Sequence, residues 1–236
     1  MNRIYERQGE KMKKIVIILI LSIFIVVLSA CADTPQETLA PLPPPESDGG
    51  PFGVDANINI HTIDDFLNRP DVAYFDVRMF YDPADYEAIG GISRITKTLP
   101  GYRIVPLPYI ASLSALPVEG AYDGPRLFEV EWGETRGEVL NIKANFRESD
   151  LILSEIFPKD KPIFLMCGGA GYTSLLRGLL IHKGYDSNLI YHTGGMWHYE
   201  GTKALDLTIP GEDFYIATWR VNYTLIDFNH LNAINP

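Results

Sequence analysis

The chain holds 236 residues, 46% of them apolar and 21% charged, enough apolar content to bury one core of ordinary size. Three Trp, 13 Tyr and 11 Phe cannot all stay solvated, which excludes wholesale disorder. A net charge of −10 lacks the basic footprint of a nucleic-acid binder, and two cysteines, Cys31 and Cys167, cannot build a multi-bridge scaffold.

The first predicted element is an address. Met12-Lys13-Lys14 precedes Ile15–Leu28, fourteen residues that are apolar except for Ser22, followed by Ser29, Ala30 and Cys31. A bilayer span needs about 20 apolar residues, so the pattern reads as a secretory signal over 1–30. Its ending, Leu28-Ser29-Ala30-Cys31, resembles the bacterial lipobox. That resemblance implies cleavage before Cys31, lipidation there with diacylglyceryl and acyl (palmitate-type) chains, and anchoring on the extracytoplasmic face of the cell membrane. Cleavage would leave 206 residues with 15 basic and 28 acidic groups, so acyl chains rather than charge must hold the protein to an anionic membrane. Residues 31–54 are polar and Pro-rich through Pro43-Pro44-Pro45 and read as a tether.

The domain expected over 55–203 alternates short helices and strands. Thr62, with Asp65 three residues on, opens a helix over Ile63–Asn68 that Pro70 closes. Val72–Val77 reads as a buried strand, 81–90 as a short helix or loop broken at Gly90-Gly91, and Arg103–Leu107 as another strand. Ser149 is placed to cap a helix carrying Leu151, Ile152, Leu153 and Ile156, stopped by Pro158. Pro162–Met166 reads as a strand buried on both faces. A helix follows over Ser174–Lys183, with Leu175, Leu176, Leu179 and Leu180 on one stripe and Gly184 as its stop, and then a strand over Leu189–His192. The alternation predicts an α/β fold with a mostly parallel sheet. Beyond it, Phe214–Trp219 and Val221–Phe228 look strand-like.

Cys167 is the centre of chemical interest. It ends a buried strand where a glycine-rich loop turns into a helix, the edge at which open α/β sheets collect ligands. Loop N–H groups and a helix N-terminus make an anion site, and the same field is expected to lower the thiol's pKa and make it nucleophilic. The competing reading is a buried, inert thiol, against which Gly168, Gly169 and Gly171 weigh. Thr173 and Ser174 read as helix-capping hydroxyls facing the anion. Asp76 and Arg78 read as an ion pair at a strand end, or as polar groups beside the cysteine. His182 is expected in solvent. His192 and His198 fit no zinc spacing with Cys167, and no metal is expected.

In order along the chain, Asp76-Val77-Arg78, Gly90-Gly91-Ile92, Pro100-Gly101, Ile104-Val105-Pro106-Leu107, Phe164-Leu165-Met166-Cys167 with its loop, Lys183-Gly184-Tyr185, and Tyr191-His192-Thr193-Gly194-Gly195-Met196-Trp197 resemble the rhodanese (sulfurtransferase) domain. The resemblance covers 57–111 and 149–201. It implies a five-stranded, mostly parallel sheet flanked by helices. Outside it lie an insertion over 112–148 and a C-terminal extension over 204–236, which are expected to pack together over the active loop. The resemblance also implies that Cys167 is a catalytic nucleophile that takes sulfur from a small anionic donor such as thiosulfate. The resulting persulfide passes the sulfur to a thiol or other nucleophilic acceptor, with no cofactor. Gly168, Gly169, Ala170, Gly171, Tyr172, Thr173, Asp76 and Arg78 are the substrate-binding residues on this reading. Where the family pattern has an arginine this chain has Tyr172, a single neutral donor, so weak thiosulfate turnover is expected. The alternative is a non-catalytic rhodanese-like binding or sensing module at the cell surface. A cysteine phosphatase on the related fold would need a loop arginine, and the first one after Cys167 is Arg177, inside the helix.

Overall fold

A computed structural model of the chain describes residues 39–113, 122–209 and 211–234. The chain divides into two compact units, Met1–Leu42 and Pro43–Pro236, and of the first only 39–42 are described. The signal over 1–30 and Cys31 lie outside the described residues. No helix among the described residues is long and apolar enough to cross a membrane. From Pro43 onward the expected tether belongs to the folded unit. Prolines lack N–H groups but keep their carbonyls, and the domain uses them: Tyr191 donates its hydroxyl to Pro43 O at 2.8 Å. Ala56 N–H donates to Glu46 O at 2.7 Å, and Ser174 Oγ donates to Phe52 O at 2.6 Å.

The strands are β1 (Ala73–Asp76), β2 (Lys97–Thr98), β3 (Arg103–Ile104), β4 (Phe128–Trp132), β5 (Val139–Ala144), β6 (Ile163–Cys167), β7 (Ile190–Gly195), β8 (Leu205–Asp206), β9 (Thr208–Ile209) and β10 (Glu212–Ile216). The α-helices are α1 (Leu107–Ile110), α2 (Ser149–Ile156) and α3 (Gly171–His182). The fold is α/β. Its main sheet runs β3-β1-β6-β7 with every pairing parallel, so β1 and β6 are inner strands. Four strands form this sheet among the described residues, where the resemblance implied five. The β3 edge is instead capped by a single parallel bridge from Tyr223, with Ile104 N–H donating to Asn222 O at 2.7 Å.

β6 reads as a continuous apolar run because both its faces are covered. Ile163, Leu165 and Cys167 join the core cluster that contains Leu175, Leu176, Leu179 and Leu180 of α3. Phe164 points the other way, into an aromatic layer with Tyr74 and Tyr191 at ring-centroid distances of 5.4 and 4.9 Å. Cys167 therefore faces α3.

α3 begins at Gly171, three residues before the predicted start, so Tyr172 and Thr173 form its first turn rather than the loop. Ser149 does not cap α2: its hydroxyl donates to Leu127 O at 2.8 Å. Leu151, counted in the apolar face of that helix, is 59% exposed. The predicted helix at 63–68 is a 3₁₀ turn over Ile63–Phe66, and Thr62 donates to Asn57 O instead of capping it. The insertion forms the antiparallel β4–β5 hairpin. It packs with the C-terminal extension: Phe146 bridges Ala233, and Phe146 and Phe228 ring centroids lie 5.6 Å apart.

Candidate active site

Cys167, the last residue of β6, is 2% exposed and pairs with Gly195 at the end of β7. The loop from Gly168 to Ala170 then turns the chain into α3. Trp197, just past β7, lies against this loop: its backbone N–H donates to Gly168 O at 3.1 Å. Side chains added at Gly91, Gly168 or Gly169 would collide with the Trp197 ring, so the glycines admit the indole. The indole Nε1 is buried and has no hydrogen-bond partner among the described residues.

Burial pushes the Cys167 thiol up. The Thr173 side chain and the backbone N–H groups of Thr173 and Tyr172 act in the opposite direction, and the charge of Asp76 adds to the rise. The expected lowering is thus reversed, because a first helical turn cannot outweigh desolvation in so dry a site. Thr173 is itself fully buried, and its Oγ1 forms no hydrogen bond of normal geometry among the described residues. It does not cap α3, and neither does Ser174.

Tyr172 turns its phenol to a carboxylate. Its hydroxyl donates to Asp82 Oδ2 at 2.7 Å, and Tyr86 donates to the same oxygen at 2.8 Å. The two phenol oxygens are 2.7 Å apart. Burial pushes both phenols well up; Tyr86 and Asp82 add to the rise of Tyr172, whereas for Tyr86 the hydrogen bond with Tyr172 opposes it and Asp82 adds to it. The neutral donor expected for a bound anion is thereby already used.

Ala170 holds a left-handed φ of 72°, uncommon for a residue with a Cβ and costing about 1–3 kcal/mol when enforced. His192 supports it. Its Nδ1 accepts from Gly194 N–H at 3.1 Å, which assigns the proton to Nε2, 3.0 Å from Ala170 O and 3.1 Å from Ser174 Oγ. Burial lowers the pKa of His192 to about 4, so the ring is neutral at pH 7. His192 thus braces the loop. No cluster of three metal-ligating side chains occurs among the described residues.

Asp76 is fully buried and holds Arg78 in a two-pronged pair, at 2.9 Å from Nε and 2.5 Å from Nη2. Thr98 Oγ1 also donates to Asp76, and Arg78 Nη2 donates to Lys97 O at 2.8 Å. Arg78, Cys167, Gly168, Gly169, Gly171 and Tyr172 line one cavity of about 320 Å³, whereas Asp76, Ala170 and Thr173 stand behind its wall. The rest of the wall was not foreseen from sequence as part of the site: Phe52, Met79, Asp82, Tyr86, Ile89, Ile92, Ser93, Arg94, Ile95, Arg136, Trp197 and His198 all contribute. Arg136 comes from the insertion and sits over the Phe52 ring at 4.6 Å, while no described residue of the C-terminal extension reaches the cavity. Comparison of the chain with protein-family models, with curated proteins and with solved structures finds no match in any of the three.

Proposed function

We propose that this chain is a sulfurtransferase of the rhodanese type, with Cys167 carrying sulfur as a persulfide. One observation carries the reading: Cys167 ends an inner strand at the carboxyl edge of a parallel sheet, beside the first turn of α3 and on the wall of a cavity. The thiolate attacks the outer sulfur of an anionic donor. A sulfur–sulfur bond forms, the bond from that sulfur to the rest of the donor breaks, and the leaving group takes the electron pair. An acceptor thiolate then removes the outer sulfur and restores Cys167, so no external oxidant is needed. Burial favours the neutral thiol at rest, and the Thr173 side chain with the N–H groups of Thr173 and Tyr172 favour the thiolate. The lipobox resemblance supports a lipid anchor at Cys31 outside the cytoplasm.

The test is intact mass of the purified full chain after incubation with thiosulfate or with cysteine hydropersulfide. One sulfur should be gained on Cys167, lost again on adding cyanide, and absent from Cys167→Ser. If no donor adds sulfur, the reading fails. The second reading, a non-catalytic binding module, then takes its place. It is favoured by one contact, the Tyr172 phenol held on Asp82 where an anion-binding group would serve the loop.

A further inference from the structure

We propose that a second cavity of the domain binds a small oxyanion of the phosphate class, free or at the end of a phosphomonoester, between the guanidinium groups of Arg136 and Arg177. This cavity measures about 530 Å³, within the range of small-molecule sites. It is larger than the one at Cys167, so an organic tail has room beside the anion. Phe52 and Arg136 belong to both walls, but Cys167 is not in the lining of the second. Binding there is separate from sulfur transfer.

Segments distant in sequence build the cavity: the docked stretch 45–55, the turn between β4 and β5, α3 and β7. The turn and the helix meet at the backbone. A Cβ on Gly178 would overlap the Gly137 carbonyl, and a Cβ on Gly137 would lie 2.4 Å from Ser174 O. Arg136 and Arg177 immediately precede those two glycines, so the contact sets both arginines on one cavity wall.

Neither guanidinium has a hydrogen bond or an ion pair among the described residues. Arg136 lies over the Phe52 ring at 4.6 Å, a contact that leaves its N–H groups without an acceptor oxygen. Arg177 is half-buried; burial lowers its pKa, and the charge of Asp55 opposes that. The carboxylates in the lining are Asp55 and Glu46. Asp55 is committed to the backbone: Oδ1 accepts from Asn57 and Ile58 N–H at 2.9 and 2.6 Å, and Oδ2 from Glu46 N–H at 2.9 Å. The Glu46 residue is exposed to water. Two unpaired forks of donors thus line one polar cavity. A carboxylate has oxygens for one fork, whereas a tetrahedral phosphate can serve both.

The experiment is isothermal titration of the full chain with inorganic phosphate and with glycerol phosphate, at neutral pH and an ionic strength held constant with sodium chloride. Saturable binding of at least one probe, one per chain, is expected. Arg136→Met and Arg177→Met should each weaken it by roughly tenfold to a hundredfold, the worth of one charge-assisted hydrogen-bonding partner. Lys203→Met, which removes an exposed cation outside the cavity, should leave it unchanged. Arg177→Lys keeps the charge and gives up the fork, so it should fall between wild type and Arg177→Met, and it carries the test should the methionine variant fail to fold. Tighter binding of glycerol phosphate would assign the cavity to a phosphomonoester, and tighter binding of phosphate to the free ion. Absence of saturable binding by both probes, or an equal loss in Lys203→Met, would overturn the site.

Discussion

At the scale of single residues the site depends on a histidine that must stay uncharged. His192 is 2% exposed, accepts from Gly194 N–H and faces Ala170 O, a pattern only the neutral ring satisfies. Its folded pKa is depressed from 6.5 to about 4, so stability is fully present above pH 6.5. As pH falls from 6.5 to 4, the unfolded chain takes up a proton that the folded chain refuses, and roughly 3 kcal/mol is lost across that window. His192→Gln, which keeps an N–H donor for Ala170 O, should flatten this dependence. Urea midpoints measured between pH 7 and pH 4 check it, and equal slopes in wild type and variant would remove His192 from the explanation. In the sequence His192 is one residue of a strand-end segment with no zinc spacing to Cys167, because what decides its role is a carbonyl 22 residues away. Tyr172 poses the same difficulty. Its partners Tyr86 and Asp82 lie 86 and 90 residues earlier, and no local pattern encodes that meeting.

At the scale of elements, legibility follows burial. β6 can be read because a strand covered on both faces must be apolar throughout, and β1 beside it shares that signal up to Asp76, whereas β7 is buried along its length yet carries His192, Thr193 and two glycines. The start of α3 cannot. Gly171, Tyr172 and Thr173 carry no apolar stripe, and a glycine run reads as loop even where the first helical turn is wound. That shift places Tyr172 on a helix, from which its ring reaches Asp82. The docking of residues 43–54 is hidden for a related reason: proline-rich segments read as linkers, yet their carbonyls remain good acceptors. α3 is also fixed from outside by the insertion. The turn of the β4–β5 hairpin brings the Gly137 carbonyl so close to Gly178 that a Cβ there would overlap it. Gly178→Ala should therefore displace the hairpin or the helix, destabilising by roughly 1–3 kcal/mol, although alanine is the better helix former by about 1 kcal/mol. A urea melt checks the sign, and stabilisation would mean that the hairpin turn does not sit on α3.

At the scale of the whole molecule, the chain's last described stretch closes structures begun far earlier. Asn222 and Thr224 extend the β3 edge through Ile104, while Phe228 packs on Tyr109 and Phe146. Arg147 N–H donates to Asn232 O at 2.9 Å, and Ile234 N–H donates to Asn145 O at 2.8 Å, tying the end of the hairpin to the extension. This clasp holds the insertion that carries Arg136, yet no described extension residue touches the cavity. A chain ending at Asp227 should thus lose stability while keeping its chemistry. Two backbone hydrogen bonds contribute about 1 kcal/mol each, and the two Phe228 ring contacts about 0.5–1.5 kcal/mol apiece, for a loss of roughly 3–5 kcal/mol. For a domain of this size that corresponds to a fall in Tm of roughly 6–20 °C. A thermal melt measures the fall, and intact mass after incubation with a sulfur donor measures loading of Cys167 below the new midpoint. An unchanged Tm would mean that the clasp is ornamental to the fold. A normal melt with loading abolished would put the extension in the site, where the arrangement of the cavity leaves it no place.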